Sequence, residues 1–495
     1  MTKSHNVALM KGLSMGTIWS KFPFSIGFQL YIFNVTNPDG ISEGEKPIIN
    51  ELGPYYYDEI QEKTNQLDHE EDDTVSYTIK NTYYFNAENS NGLTGEEEVM
   101  VPNYFAFSLI NIVAREKPNV LPIIGKALDS IFNKPSNFFI KAKVKDIFFD
   151  GLPIDCTVMD LAGKAIRSEL KKKNEKFGLK KIAENKYILS MFGPANGTES
   201  KARTRVHRGI KNIMDVGKVI EYNNNRNISV WDDEYCDTFN GTDGTVFHPH
   251  FDRKGRDDVV VFNPNLCRSI SCHFESKTTF DGLEVLRYTT DLGTDGNNNP
   301  LHKCYCPATN GCLKKGAFDI YNRTLKPIIV TNPHFYLADE YYSNQVDGLN
   351  PDKKNHMIII DIDPFTGTPL YTRTRVQLNM FINRINNINQ IKNIPDVLLP
   401  ILWIDEIIIL PDFLIKKIKF AYMLLKIGRI FQYFLMSIDL GLCGFSGYKY
   451  CLLTILRNKV KATEWKNSEL LNITKKKMKM NISTLQSSST LPTID

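Results

Sequence analysis

The sequence predicts an α+β fold in which a large antiparallel β core carries a helical insertion. Three observations predict it: a long alternating hairpin from His356 to Met380, helical apolar spacing within residues 104–170, and strand-and-turn patterning from Tyr31 onward. With 42% hydrophobic and 23% charged residues among 495, the chain can bury a real core, and wholesale disorder is excluded.

The elements follow in order. Residues 1–18 hold a short apolar stretch, Val7 to Ile18, interrupted by Lys11; it is too short to span a bilayer and lacks a small-residue cleavage site. Tyr31-Ile-Phe-Asn-Val35 reads as a strand, closed by the turn former Asn37-Pro38-Asp39-Gly40. Gly53-Pro54 then precedes the aromatic run Tyr55-Tyr56-Tyr57. Val120, Ile123, Ile124, Leu128 and Ile131 recur at helical spacing, and Pro118 and Pro122 mark a boundary or first turn. In the late hairpin, Asp363-Pro364-Phe365-Thr366-Gly367 supplies the turn. Beyond it Leu370, Thr372, Thr374, Val376, Leu378 and Met380 share one face, and Tyr371, Arg373, Arg375, Gln377 and Asn379 the other, so one buried face is expected. Residues 426–456 are a membrane-span candidate whose apolar stretch, Ile430 to Leu456, is interrupted by Gln432, Asp439 and Lys449. Arg457, Lys459 and Lys461 suit a cytoplasmic flank, and the polar tail 457–495 is expected to be disordered.

A net charge of +4 is too balanced to make nucleic acid the main partner. Six of nine cysteines lie between Cys236 and Cys312, with Cys156 alone and Cys443 and Cys451 late. They are accompanied by glycosylation sequons at Asn34, Asn196, Asn227, Asn240 and Asn322. This combination points to an oxidising, extracellular or lumenal compartment. In that setting Cys304-Tyr-Cys306 with Cys312 reads as disulfide chemistry, because no second cysteine pair completes a zinc site. His248-Pro-His250 lacks an evident third ligand and reads as loop histidines. No nucleophile elbow, zinc-protease or phosphate-loop motif occurs. The enzymatic alternative is an extracellular metal-dependent hydrolase built on His248, His250 and Asp243; a further alternative is an adhesion ectodomain without lipid transfer.

Nine segments together resemble the class B scavenger receptor family, which includes platelet glycoprotein IV, the lysosomal integral membrane protein and the sensory neuron membrane proteins. They are Phe33-Asn-Val-Thr-Asn-Pro38; Gly44-Glu-Lys-Pro47 with Glu51-Leu-Gly-Pro-Tyr55; Asn240-Gly-Thr-Asp-Gly244 with Phe247-His-Pro249; and Cys267-Arg-Ser-Ile270. Further on come Pro333-His-Phe-Tyr-Leu-Ala-Asp339, Val346-Asp-Gly-Leu-Asn-Pro351, Asp361-Ile-Asp-Pro-Phe-Thr-Gly367, Arg375-Val-Gln-Leu-Asn379 and Pro400-Ile-Leu-Trp403.

The resemblance implies an ectodomain over residues 19–425, held by a membrane span at each end. Its β core would enclose an apolar tunnel, with a helical bundle at the apex over 104–170. Residues 1–18 do not supply the first span, so the sequence reads as truncated at its start. The implied function is a receptor, not an enzyme, for fatty acids, phospholipids, sterols or lipoprotein particles. No cofactor or metal is implied, self-association is left open, and the location is the cell membrane or, alternatively, the lysosomal membrane. Family pairing implies disulfides Cys236–Cys304 and Cys306–Cys312. The usual partner position of Cys267 is here Asn322, which leaves Cys272 as a substitute or Cys267 unbridged. Lys134 follows Asn133 as the family's ligand-contacting lysine follows an asparagine, so Lys134, Lys141 and Lys143 are the expected apical ligand-binding residues. No acidic residue falls between Ser130 and Lys145.

Overall fold

The computed structural model describes residues 8–9, 14–158, 160–173, 178–251, 258–306 and 311–486. Strand-forming stretches rich in Val, Ile, Tyr and Thr pair antiparallel into one thirteen-stranded sheet, eleven of whose strands lie on a single path. In chain order these are β1 (Ile26–Val35), β2 (Ile49–His69), β3 (Thr74–Phe85), β4 (Thr204–His207), β5 (Val219–Tyr222) and β6 (Val259–Asn263). They continue with β7 (Arg268–Phe280), β8 (Leu283–Thr289), β9 (Ile359–Ile362), β10 (Pro369–Ile382) and β11 (Val397–Ile409). Their spatial order is β5–β4–β3–β2–β1–β11–β10–β9–β8–β7–β6.

The two edge strands of this path are joined by one segment. Thr242 bridges to Lys218, beside β5, on one side and to Val261 of β6 on the other. Val219 N donates to Gly241 O at 3.0 Å, and Phe262 N donates to Thr242 O at 2.9 Å. The sheet therefore closes into a ring, which leaves neither edge strand open for pairing with another chain. Gly241 has φ 82°, and a Cβ there would collide with the Val260 carbonyl, so the closure needs glycine at this position.

Gly27 of β1 pairs with Ile407 of β11, so the chain enters and leaves the ring at the same end. Helices gather at the other end. Asn103 caps α1 (Tyr104–Glu116) by accepting from Ala106 N, and Asn111 of α1 donates to Phe381 O at 2.9 Å near the far end of β10. A 3₁₀ turn at Pro118–Val120 leads into α2 (Leu121–Ile131), whose first turn holds Pro122. The region expected to be a helical cluster also contains strands: Phe139–Lys143 pairs with Glu98–Pro102, and Leu152–Asp155 belongs to a separate three-stranded sheet. A third helix, α3 (Leu161–Lys173), follows.

The compact unit containing the ring ends at Ile415. The second unit begins at Lys416, within α4 (Asp412–Gln486), in which an 18-residue window reaches a mean hydropathy of 1.2. Among the described residues it is the one helix long and apolar enough to cross a membrane. The tail expected to be disordered is helical to Gln486. It is rich in Lys and lacks proline and glycine there, which favours continuation of the helix; residues 487–495 lie outside the described residues. The Val7–Ile18 stretch falls partly outside them too, and Ser14–Ser20 is a short helix.

Candidate functional site

The closing segment identifies the concave side of the sheet. Asp243, next to the bridging Thr242, reaches past β5 and β4 to accept from Tyr77 of β3 at 2.8 Å and to pair with Lys63 of β2 at 3.4 Å. Only the inside of the ring allows that reach. Trp19 Nε1 also donates to Asp243 at 3.3 Å, and the Lys63 ammonium lies 4.4 Å from the Trp19 ring centroid. Burial alone would raise the Asp243 carboxyl, but Lys63 and the hydroxyls of Thr245 and Tyr77 hold it below the usual range. Burial lowers Lys63, and Asp243 offsets part of that.

Alternation then assigns every inner side chain. On β2 they are Tyr55, Tyr57 and Glu59; on β1, Ile26, Phe28 and Leu30; on β11, Ile404 and Glu406; on β10, Thr374, Val376 and Leu378. An aromatic group crosses this interior, with Phe28–Tyr83 centroids 4.7 Å apart, Tyr57–Phe149 4.6 Å and Phe28–Phe192 5.5 Å. Thr372, Thr374, Val376, Leu378, Ile404, Glu406 and Ile408 all retain part of their accessible surface although they face inward. The inner wall of the β10–β11 hairpin is thus a partly accessible strip, in which Val376, Leu378 and Ile404 pack against the main core cluster and Thr372, Thr374 and Glu406 add polar groups.

The outer face of the same hairpin is the more tightly covered one. Arg375 is 1% exposed, and Gln377, Asn379 and Asp405 are 0% exposed. Arg375 Nη1 donates to Met357 O at 2.5 Å, while Arg373 and Arg375 share the Asp405 carboxylate. Gln377 accepts from His334 N at 2.7 Å, and Asn379 donates to Ile329 O at 3.0 Å. Glu51 accepts from Trp403 Nε1 and lies against His334 Nε2, both at 2.6 Å.

The expected apical lysines divide. Lys134 is exposed after α2, where Asn133 and Lys134 both adopt positive φ (55° and 51°) and turn the chain outward. Lys141 and Lys143 are not helical; they lie on Phe139–Lys143 and pair with Glu98 of the neighbouring strand at 2.6 Å and with Glu96, just before that strand, at 2.8 Å. The stretch lacks acids along the chain but receives them across the sheet, so its local charge is largely neutralised. Beneath α1, Tyr104, Phe105, Ser108, Leu325 and Lys326 enclose a slot of about 10 Å³, room for about one water. Burial lowers Lys326, an amine that sequence reading did not single out.

Cys236 is bonded to Cys304, with Cα atoms 6.4 Å apart, and Cys306 to Cys312, at 4.5 Å. Cys272 keeps a thiol, which burial pushes up to about 12, in an apolar cluster with Phe251 and Tyr288. Asn196, Asn227, Asn240 and Asn322 are exposed, whereas Asn34 lies within β1 and accepts from Met100 N at 2.7 Å. The alternative hydrolase group does not assemble. Asp243 is held by Lys63, His248 stacks on Phe251 at 4.5 Å, and exposed His250 packs against Phe365. Asp233 approaches Cys236 and Cys304, but both sulfurs are used in the disulfide. A cleft of about 400 Å³ beside the closing segment is lined by Asn240, Thr242, His248, Phe251 and Tyr305, so a glycan on Asn240 would stand at it.

The sequence pattern of the CD36 family matches residues 1–450. The chain belongs to the CD36 family. The sensory neuron membrane protein 1 of Apis mellifera is 40% identical over 490 residues, covering 99% of this chain and 93% of that protein. Those of Pediculus humanus subsp. corporis (40% over 414 residues, 83% and 79% covered) and Antheraea polyphemus (38% over 436, 88% and 82%) are also similar. The chain is therefore a membrane protein of the class B scavenger receptor type. Among the family segments, Asn240–Gly244 is the ring closure, and Arg375–Asn379 and Pro400–Trp403 form the hairpin whose two faces differ.

Proposed function

We propose that the protein is a receptor rather than an enzyme, and that it binds lipids or lipid particles and passes acyl chains through the interior of its ring. The observation that carries this reading is the partly accessible inward strip of Thr372, Thr374, Val376, Leu378, Ile404 and Ile408, which stays open while the polar outer face is closed. An acyl chain needs a dry wall of this kind, whereas a fully packed interior would offer it no contacts. The helical end would receive the ligand, with exposed Lys134 as the charge that meets an anionic surface and Lys141 and Lys143 as minor contributors. Fatty acids, phospholipids, sterols and lipoprotein particles are the proposed ligand classes, with the ring outside the cell or in a lysosomal lumen. Mass spectrometry of lipids copurifying with the protein tests this reading. Lipid recovered with wild type and depleted in Leu378→Trp supports it, and recovery of none from either counts against it.

A further inference from the structure

We propose that Glu59 and Glu406 form a headgroup site inside the ring for a neutral, oxygen-bearing amphiphile: an alcohol, an aldehyde or an acid in its protonated form. This rests on the conduit reading above and adds a chemical preference to it.

The two carboxyls come from opposite ends of the sequence and are brought to one place by β1. Glu59 lies across from Ile26 of β1 and Tyr83 of β3, and Glu406 lies across from Phe28 of β1 and Thr374 of β10. Both face the interior, and Glu59 senses the charge of Glu406. Glu59 is 2% exposed; Tyr83 hydrogen-bonds its carboxyl, and its Oε2 has no hydrogen-bond partner among the described residues. An unsatisfied buried acceptor costs on the order of 1–3 kcal/mol, so a bound donor would relieve it. Glu406 keeps accessible surface on the same wall as Ile404 and Val376. The pair is thus a polar station on an apolar track, beside the aromatic wall of Tyr83, Phe149 and Phe192.

The groups around the pair decide which head fits. Tyr83 faces Glu59 from β3, and Asp405 adds negative charge behind Glu406 from the outer face. Lys63 lies further along β2 and is already paired with Asp243. Burial, reinforced by Glu406, raises Glu59 well above the usual carboxylate range; burial, reinforced by Asp405, raises Glu406 to about 7. Two such carboxyls cannot both ionise cheaply, so near neutral pH the pair keeps a proton. It then offers both a donor and an acceptor, which a hydroxyl or carbonyl head can use. A carboxylate head would add a further negative charge beside the pair, and Lys63 is already engaged with Asp243.

The sign follows from the raised values. With Glu406 protonated below about pH 7, the pair is uncharged and binds a neutral head best there. Above that, ionisation of Glu406 withdraws its donor and places charge on the track. The protonated fraction of Glu406 falls about tenfold between about pH 6 and about pH 8.

The test uses the full chain in nanodiscs of zwitterionic lipid, with a photoreactive long-chain alcohol and the matching carboxylic acid as probes. Cross-linking to ring peptides is the readout. Wild type should label with the alcohol about tenfold more strongly near pH 6 than near pH 8, and weakly with the ionised acid at the higher pH. Glu59→Gln with Glu406→Gln keeps donors and removes the charge, so alcohol labelling should become flat with pH and acid labelling near pH 8 should rise. The single Glu406→Gln variant serves if the double variant does not fold. Identical pH profiles in wild type and variant would overturn the inference and leave the conduit intact. No ring labelling by either probe at any pH would overturn the conduit reading and this inference with it.

Discussion

The two faces of the β10–β11 hairpin differ in the opposite sense from simple amphipathic expectation. The polar outer face, with Arg375, Gln377, Asn379 and Asp405, is closed over and fully hydrogen-bonded. The apolar inner face, with Val376, Leu378 and Ile404, keeps accessible surface. A strand buries whichever face the rest of the chain covers, and here residues 329–357 cover the outside. The closed side of the hairpin is therefore its polar network, and its inner face stays partly accessible. Buried polar groups hold register and geometry at high stakes, because each lost partner leaves a desolvated group behind.

The sharpest way to break this comparison is on the outer face. Asp405→Ala leaves Arg375 buried without its counter-ion and should cost on the order of 3–5 kcal/mol. Denaturant titration of the protein measures it, and a loss below about 1 kcal/mol would show that the network carries little stability.

The next effect is on acid stability of the same face. His356 accepts from Asp352 N at 2.9 Å and stacks on His334 at 4.4 Å. Burial, then the neighbouring His334, lowers its pKa to about 4. The unfolded chain takes up this proton near pH 6.5, so His356 favours the folded state above that pH and the advantage is lost as pH falls toward 4. Between pH 7 and pH 5 the loss should be about 2 kcal/mol, and His356→Gln should remove most of that pH dependence. Thermal melts at the two pH values read it directly. An unchanged pH dependence in the variant would remove His356 as its source.

How far the sequence reveals this site depends on distance along the chain. The alternation of Leu370 to Met380, the helical spacing of Val120 to Ile131 and the turn at Asp363–Gly367 are local patterns, and each corresponds to an observed element. Which face of β10 points inward is not local; it follows from ring closure by Thr242, more than a hundred residues earlier in the chain. The same holds for Lys141 and Lys143, whose neutralising Glu98 and Glu96 precede them by one strand connection. Glu59 and Glu406 read as ordinary surface acids until β1 places them on one wall. Residue spacing carries no trace of such pairings.

Smaller effects are expected on the inner face. Val376→Ala should cost on the order of 1 kcal/mol or less, because the side chain is already partly accessible and leaves little new cavity. A cost of several kcal/mol would mean that the strip is packed core. Smallest of all, Lys134→Glu should leave stability within about 0.5 kcal/mol and weaken binding of anionic vesicles, more so at low salt. Lys141→Glu and Lys143→Glu should weaken it less, since Glu98 and Glu96 already neutralise them, and vesicle co-sedimentation ranks the three.

The central claim is that the inner strip of β10 and β11 is the wall of a lipid path. Its most direct measurement is transfer of a fluorescent long-chain lipid into proteoliposomes carrying wild type, Leu378→Trp or Leu67→Trp, the last at the exposed tip of the β2–β3 hairpin. The account predicts that Leu378→Trp folds with nearly unchanged stability but loses most transfer, while Leu67→Trp transfers like wild type. Full transfer by a folded Leu378→Trp protein would contradict it.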